Sequence, residues 1–164
     1  MVDTNQALTS NGMDVAIDML RKSTSLPQKI KVTRVIMDLS VPKNGKQQAC
    51  EKGAIPVLTD LLKEENQDIK AMALGALMLI TVIAKGKILA LEADIISRLL
   101  PLLHFPSPNV CKHCLKVLTM IAETPTGKNL LGAEVYKIEA LMDNSTDDIK
   151  ATAKKTIDVI TWKP

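Results

Sequence analysis

The residues best suited to chemistry lie in the segment Cys111-Lys-His-Cys114, with His104 just upstream. Thiolates and imidazoles bind zinc, and closely spaced cysteines can carry redox chemistry. A structural zinc site needs four ligands, and the chain offers only one Cys-x-x-Cys pair. A free cysteine is commonly a small core residue, so a packing role is the favoured alternative. Cys114 falls in the repeat column of Val32, Ala73 and Ala153 and is predicted to be buried, whereas Cys111 falls in the column of Lys29, Lys70 and Lys150 and is predicted to point outwards. We therefore predict no metal and no cofactor here.

A second candidate for chemistry is a Gly-Lys pair that recurs at a constant spacing, at Gly45-Lys46, Gly86-Lys87 and Gly127-Lys128. A phosphate-binding P-loop needs a further glycine five positions before the glycine of this pair. Those positions hold Ser40, Thr81 and Ala122. The pairs are therefore interpreted as markers of a repeat, with each glycine capping the C-terminus of one unit's last helix.

No grouping of side chains predicts an enzyme. The chain has two histidines, His104 and His113, and no specific Ser/His/Asp arrangement accompanies them. Carboxylate pairs at Glu64-Glu65 and Asp147-Asp148 are placed to complement helix N-termini. We predict a protein without catalytic residues and without a small-molecule substrate.

Composition limits the remaining classes. Apolar residues make up 46% of the 164 residues and aromatic residues only 2%, a balance that favours packed helices. The net charge of +3 is too small to indicate nucleic-acid binding. The most apolar stretch, residues 71–84, is shorter than a membrane span. Three cysteines and no secretory signal predict an intracellular protein of the cytoplasm or cytoskeleton.

Apolar residues follow the same period as the Gly-Lys pairs. The columns include Ile17/Leu58/Leu99, Leu20/Leu61/Leu102, Ile36/Leu77/Leu118 and Leu39/Ile80/Ile121. With a deletion of two positions after Gly127, the columns of Leu102, Val110 and Leu118 continue to Leu141, Ile149 and Ile157. The period predicts one domain, 1–164, of about four units at 4–44, 45–85, 86–126 and 127–164.

Each unit carries the pattern of a short, a medium and a long helix, separated by turns such as residues 41–45, 105–109 and 124–127. A period of about 40 residues with two or three helices is typical of armadillo and HEAT arrays. The glycine before the second helix, and the stretch GAIPVLTDLL at residues 53–62, resemble the armadillo repeat specifically. The fold prediction is therefore an all-α, right-handed armadillo/HEAT-type solenoid of about four three-helix repeats.

Helical spacing places one stripe of side chains on the third helix of each unit, opposite the core. The four stripes are Lys31, Arg34 and Asp38; Met72, Gly75 and Leu79; His113, Lys116 and Met120; and Thr152, Lys155 and Val159. The armadillo resemblance implies that this stripe lines a concave groove. We predict a protein-binding face made by Lys31, Arg34, Leu79, Lys112, His113, Lys116, Met120 and Lys155.

The chemistry of that face suits an acidic or amphipathic protein segment. The alternative, a solvated charged face with no binding role, is equally consistent with the residues. Nuclear-import receptors of the armadillo class carry Trp and Asn ladders at these columns. Here the columns hold Arg, Gly, Lys, Lys and Asp, Leu, Met, Val, so recognition of nuclear-localisation signals is not expected.

Three stretches resemble one armadillo subfamily more closely. These are GKQQACEKGAIPVLTDLL, GALMLITVIAKGKILALEA and NVCKHCLKVLTMIAETPTGK, followed by the C-terminal ITWKP. They are similar to the radial spoke head 14 homologue family, also called rhabdoid tumour deletion region proteins. The resemblance implies a structural protein of the radial spoke in ciliary and flagellar axonemes. The alternative is a cytoplasmic armadillo adaptor with an unrelated client.

The opening helix predicted for the first unit, residues 4–10, is weak. Solenoid ends need polar caps, so we expect the N-terminal face of the first unit to pack against a further partner. The chain is expected to be a short relative, an isoform or a portion of a longer array.

Overall fold

In the computed structural model, which describes residues 3–164, the chain folds into α-helices and one 3₁₀ helix. They form four successive units, and the prediction of an all-α solenoid is confirmed. The first two units have three helices each, whereas the last two have four, because the second-helix segment is divided into Ile95–Leu99 and Leu100–His104 in the third unit and into Val135–Glu139 and Leu141–Asn144 in the fourth. In chain order the helices are α1 (Thr4–Thr9), α2 (Gly12–Lys22), α3 (Leu26–Leu39), α4 (Lys43–Glu51), α5 (Ala54–Leu61), α6 (Gln67–Ile80), α7 (Ala84–Glu92), α8 (Ile95–Leu99), the 3₁₀ helix (Leu100–His104), α9 (Pro108–Ala122), α10 (Pro125–Gly132), α11 (Val135–Glu139), α12 (Leu141–Asn144) and α13 (Asp147–Thr161).

The long third helices α3, α6, α9 and α13 pack against one another in sequence and form a continuous layer. Short polar side chains begin three of them. Ser25 accepts a hydrogen bond from the Gln28 amide, Asn66 from the amides of α6, and Thr146 from the Ile149 amide. These caps satisfy backbone donors that have no partner within the helix. They fix the start of each third helix and therefore the register of its outer face.

The predicted apolar columns form the core. Ile36, Leu77 and Leu118 are completely buried, as are Ile17, Leu58 and Leu99. The slip of two positions in the last unit is also confirmed, because the columns of Val110 and Cys114 continue, with this shortened spacing, to the buried Ile149 and Ala153. The core is built by stacking neighbouring units, as expected for a solenoid.

The interpretation of the Gly-Lys glycines as helix C-caps is wrong. Gly45, Gly86 and Gly127 lie inside the first turns of α4, α7 and α10, so these helices begin at Lys43, Ala84 and Pro125, before the predicted boundaries. Their role is close contact. A Cβ atom on Gly86 would lie 2.1 Å from the carbonyl oxygen of Ile80, at the end of α6. The glycine lets each unit's first helix cross the end of the preceding third helix at backbone distance.

Three of the four second helices, α2, α5 and α8, are entered through a left-handed residue. Gly53 has φ +81°, and Asn11 and Asp94 have φ 60° and 54° at the equivalent turns. Gly, Asn and Asp are the residues that adopt this region at least cost. The predicted place of Pro56 in the first turn of α5 is confirmed, since no intrahelical acceptor exists for an amide there.

The outer faces of the first and last units differ in chemistry. Val35 is 47% exposed, whereas its equivalents Ala76, Val117 and Thr156 are fully buried against the preceding unit. On the last unit, the column that holds buried Leu74 and Leu115 holds Lys154, which pairs with Asp158 at 3.1 Å. The expectation that the N-terminal face packs against a partner stays a prediction.

None of the helices within residues 3–164 has the length and apolar character needed to cross a bilayer.

Candidate functional site

A groove runs across α3, α6 and α9 on the outer side of the third-helix layer. Its volume is about 630 Å³. We call it the third-helix groove, and its lining residues are Ile30, Arg34, Met37, Asp68, Ala71, Met72, Gly75, Met78, Leu79 and His113.

Three of the predicted binding residues, Arg34, Leu79 and His113, meet in this groove. Lys31, Lys116 and Lys155 are exposed on α3, α9 and α13, and Met120 is half-buried on α9, beyond the groove itself. The groove therefore unites part of the predicted face, and the remaining residues lie along the same helices on either side of it.

Lys112 is the predicted binding residue whose charge is already engaged. Its ammonium group pairs with the carboxylate of Asp148 in the first turn of α13. Lys29 of α3 pairs in the same manner with Glu64, just before α6. These lysines link α3 and α9 to the following units, so the structure gives Lys112 a contact between units.

The floor of the groove is formed by Gly75. A Cβ atom at this position would lie 3.0 Å from the sulfur of Met37, so the glycine makes room for that side chain. Met37, Met72, Met78 and Leu79 are half-buried around it. Thioether side chains are flexible and polarizable, and such surfaces adapt to differently shaped apolar groups.

The sequence analysis did not include two columns of residues that also line this groove. Met37 and Met78 are separated by one repeat period, and so are Ile30 and Ala71. Both columns lie one position from the predicted stripe. Extending the stripe by one residue on the helical wheel would have found them.

The charges of the third-helix face are mostly positive. Lys31, Arg34, Lys116 and Lys155 make no ion pair within 4.0 Å among the described residues. Asp68 lines the groove together with Arg34, and Asp38 is exposed on α3. Cations on both sides of an apolar floor attract an acidic, partly apolar partner.

His113 forms part of the groove wall on α9. Burial lowers the pKa of its imidazole, and the nearby ammonium groups of Lys116 and Lys112 lower it further. Its Nδ1 atom is buried without a hydrogen-bond partner within residues 3–164. The side chain is therefore mainly neutral at pH 7.

The lowered pKa of His113 predicts an acid-sensitive fold. The unfolded chain takes up a proton near the ordinary pKa of histidine, about 6.5, whereas the folded chain takes it up only at lower pH. Stability from this group is complete above pH 6.5 and is lost as the pH falls towards the folded pKa. Arg34 and Asp68 line the same groove and contribute opposite signs to the local field.

Urea unfolding measured between pH 7.5 and 5 checks this. We expect His113→Gln to reduce the loss of unfolding free energy on acidification relative to the wild type. His104→Gln, at an exposed residue of the 3₁₀ helix, is the matched control and should follow the wild type. An identical pH dependence in His113→Gln and the wild type would contradict the assignment.

The cysteines serve packing. Cys114 is fully buried, as predicted, and its thiol donates to the carbonyl oxygen of Leu99 at 3.0 Å. The prediction that Cys111 points outwards is wrong, because it is 3% exposed. It lies beside Leu141 and Ile149 of the next unit. Burial raises the pKa of both thiols, which disfavours the reactive thiolate.

Lys70, one repeat period before Cys111, shows why positions in this column are buried. It is 6% exposed, its ammonium donates to the carbonyl oxygen of Leu62 at 2.7 Å, and it lies 5.1 Å from the centre of the Phe105 ring. The column faces the following unit, so the lysines there cross a packed boundary. Within residues 3–164, no three His, Cys, Asp or Glu side chains are arranged to hold a metal ion.

Comparison with known proteins agrees with this architecture. Residues 42–80, which coincide with the second unit, match the family model described as the Armadillo/beta-catenin-like repeat. An engineered protein superposes with a TM-score of 0.90 at 19% identity, over 98% of this chain and 40% of that chain.

Two further solved structures are similar. A designed armadillo repeat protein in complex with the peptide (KR)4 has a TM-score of 0.89 at 18% identity, over 96% of this chain and 68% of that chain. Computationally designed armadillo repeat proteins for modular peptide recognition give 0.86 at 19% identity, over 95% and 67%. This chain thus spans 40–68% of the lengths of these proteins, and it has the armadillo-repeat solenoid fold.

Proposed function

We propose that this protein is a non-enzymatic scaffold that docks an acidic, partly apolar segment of another protein along the third-helix groove. The observation that carries the proposal is the pairing of an apolar floor at Gly75 with four cations that make no ion pair within residues 3–164, Lys31, Arg34, Lys116 and Lys155. Because each unit of such an array packs only on its neighbours, the stacked units form an extended surface that can bind a partner.

The similar designed armadillo protein binds a basic peptide, (KR)4. The third-helix face of this chain presents cations at Arg34, Lys116 and Lys155. Because like charges across an interface are strongly disfavoured, its partner is expected to be acidic.

The finer proposal is a structural role in the radial spoke of the ciliary and flagellar axoneme. It is supported by the similarity of residues 45–62, 75–93 and 109–128 to the radial spoke head 14 homologue family. The partners would be radial spoke components, and the protein would reside in the cytoskeleton of cilia. A cytoplasmic adaptor that binds an acidic or amphipathic segment of an unrelated client is the second candidate, favoured by the same groove.

Affinity capture from ciliated-cell or sperm-flagellar extract tests both parts. The tagged wild type is compared with a triple variant, Arg34→Glu, Lys116→Glu and Lys155→Glu. A control triple variant carries Lys43→Glu, Arg98→Glu and Lys163→Glu, at exposed positions outside the third helices, with the same change in net charge.

We expect radial spoke proteins to be captured by the wild type and the control, and to be lost with the third-helix variant. If all three forms capture radial spoke proteins equally, the third-helix groove is not the docking site, and the axonemal role stands. If no axonemal protein is captured, and the tagged protein stays outside cilia in ciliated cells, the axonemal role is wrong and the adaptor proposal takes its place.

A further inference from the structure

The first unit presents an end face that residues 3–164 leave uncovered. On α3 this face follows a stripe of four exposed side chains, Gln28, Lys31, Val35 and Asp38. Val35 is 47% exposed near the centre of the stripe, and Val41, just beyond α3, is 59% exposed. We call this surface the N-terminal face. A cavity of about 680 Å³ lies along its edge and is lined by Thr4, Asn5, Ala7, Val35, Asp38, Leu39, Val41 and Pro42.

The N-terminal face differs in chemistry from the boundaries inside the array. Exposed Gln28 corresponds, one repeat period on, to the fully buried Ile69. Thr4 stands where the other units have a glycine that makes room for the preceding third helix, as Gly45 does for the Leu39 carbonyl. A further unit stacked in the same geometry would bring a backbone carbonyl against the Thr4 side chain and would bury Gln28. The face is therefore suited to a partner that packs in a different way.

The charges of the stripe are arranged evenly about Val35. Lys31 lies about one turn before Val35 and Asp38 about one turn after it, on the same side of α3. The two charged residues are about 10 Å apart along the helix axis, too far to pair with each other. Neither makes an ion pair within residues 3–164. A second α3 that crosses the first in the antiparallel direction at Val35 would place each Lys31 opposite the Asp38 of the other copy.

This pattern is self-complementary in one orientation only. In an isologous two-fold interface, residue i of one copy contacts residue j of the other, and j contacts i. A parallel arrangement of the two helices would bring Lys31 to the level of Lys31, and like charges across an interface are disfavoured. A head-to-tail arrangement would have to cover Lys154, which pairs with Asp158 on the opposite end of the array. The antiparallel arrangement is the one that pairs opposite charges and joins the two valines.

We infer that the N-terminal face is an isologous interface between two copies of this chain. The two α3 helices pack antiparallel about Val35, and Lys31 of each copy pairs with Asp38 of the other. Because a single helix dominates the contact and exposed ion pairs contribute little each, the interface belongs to the small, transient class, with a dissociation constant in the micromolar range. The capture variant described above leaves Lys31 and Asp38 unchanged, so the docking function and the dimer are tested by different side chains.

Sedimentation velocity of the purified chain, from about 1 to about 300 μM, tests the dimer in a range that brackets a micromolar dissociation constant. Lys31→Glu and Asp38→Lys each place like charges at both ion pairs, and the double variant restores opposite charges with their signs exchanged. The matched controls are Lys154→Glu and Asp158→Lys, which make the same changes in net charge at exposed positions of α13. Circular dichroism of each variant establishes that it is folded.

We expect the wild type and both control variants to dimerise alike. Each single variant of α3 should weaken self-association about tenfold or more, because two like-charge contacts replace two ion pairs. The double variant should regain self-association. An equimolar mixture of Lys31→Glu and Asp38→Lys should also form dimers, although neither variant does so alone, since both of its contacts then join a carboxylate and an ammonium group. A folding defect cannot produce this complementation.

Val35→Asp tests the centre of the interface. It places two carboxylates beside the two-fold axis and should abolish self-association. Val82→Asp is the matched control, because Val82 is also exposed but lies in the turn between α6 and α7, inside the array. It should dimerise as the wild type does.

A wild type that sediments as a monomer at every concentration would overturn the inference and would mean that the face is a solvated cap or is covered by a different protein. Equal weakening by Lys154→Glu and Lys31→Glu would overturn it in favour of head-to-tail stacking. A mixture of the two single variants that stays monomeric, while the wild type dimerises, would overturn the antiparallel pairing of Lys31 with Asp38. The docking function is judged separately, by the capture of partners with Arg34, Lys116 and Lys155 changed.

Discussion

Alanine in place of Gly86 is expected to destabilise the protein by about 3 kcal/mol, although alanine is the better helix former by about 1 kcal/mol. Gly86 is buried in the first turn of α7 and has no positive φ, so its conformational freedom is not the reason for its presence. The reason is distance. An added Cβ would lie 2.1 Å from the carbonyl oxygen and 2.8 Å from the carbonyl carbon of Ile80.

The atoms in the way belong to the backbone, which has no alternative rotamer. To admit the methyl group, α7 must move away from the end of α6, and the buried contacts of Ala90 and Ile80 would then open. Overpacking of a rigid site typically costs about 1–3 kcal/mol and sometimes more. Since whole domains are stable by only about 5–15 kcal/mol, this single methyl group removes a large share.

Urea unfolding followed by circular dichroism measures the effect. Gly132→Ala is the matched control, because Gly132 also lies in a helix and a Cβ there meets no atom within 4 Å. It should be neutral or stabilising by about 0.5 kcal/mol. A Gly86→Ala protein as stable as Gly132→Ala would show that the first helix can shift without cost, and the contact argument would fail.

The array could be predicted from the sequence because one period repeats the same burial pattern in every unit. Ile36, Leu77 and Leu118 can be assigned to the core without coordinates, and all are buried. Periodicity of this kind records which side of a helix faces its neighbours. It does not record how closely two backbones approach, so it cannot distinguish a glycine that caps a helix from a glycine that permits close contact.

The column of Lys70 and Cys111 shows the second limit. A lysine in this column predicts an outward position, yet Lys70 is buried because its aliphatic stem crosses the boundary and its ammonium reaches the Leu62 carbonyl. Long amphipathic side chains can satisfy both environments. A lysine in the sequence therefore indicates that its ammonium group will reach a polar partner. It does not indicate whether the rest of the side chain is exposed or buried.

The candidate site could be predicted in part for a related reason. Helical spacing places Arg34, Leu79 and His113 on one stripe, and they meet in the groove. Met37 and Met78 lie at the edge of the stripe, where a residue can turn towards the core or towards the groove. Their contribution depends on the room left by Gly75, which is a property of packing between α3 and α6.

Leu74→Ala is expected to cost about 3 kcal/mol and to reduce the cooperativity of unfolding. Leu74 is fully buried on α6, the third helix of the second unit, which packs against both α3 and α9. Truncation of a buried leucine removes its burial energy and leaves a cavity, with typical losses of about 2–5 kcal/mol. Its equivalent on α9, Leu115, is also fully buried and should behave alike.

The effect on cooperativity follows from the linear architecture. Each unit contacts only its neighbours, so stability is a sum of unit terms and terms for the boundaries between units. A cavity in the second unit weakens its boundaries with the first and third units together. Units on the two sides of the cavity can then unfold at different urea concentrations, which lowers the apparent slope of the transition.

Lys154→Ala is the control that distinguishes the effect of burial from the effect of truncating a side chain at this helical position. Lys154 occupies the same helical position on α13, but it is exposed and pairs with Asp158 across one helical turn, a contact worth about 0.3–0.5 kcal/mol. Its replacement should change the midpoint little and leave the slope unaltered. If Leu74→Ala lowers the midpoint at an unchanged slope, the four units still unfold in one cooperative transition. The stabilising energy across the boundaries of the second unit would then be large enough to keep the units coupled despite the cavity, and the expected loss of cooperativity would be wrong.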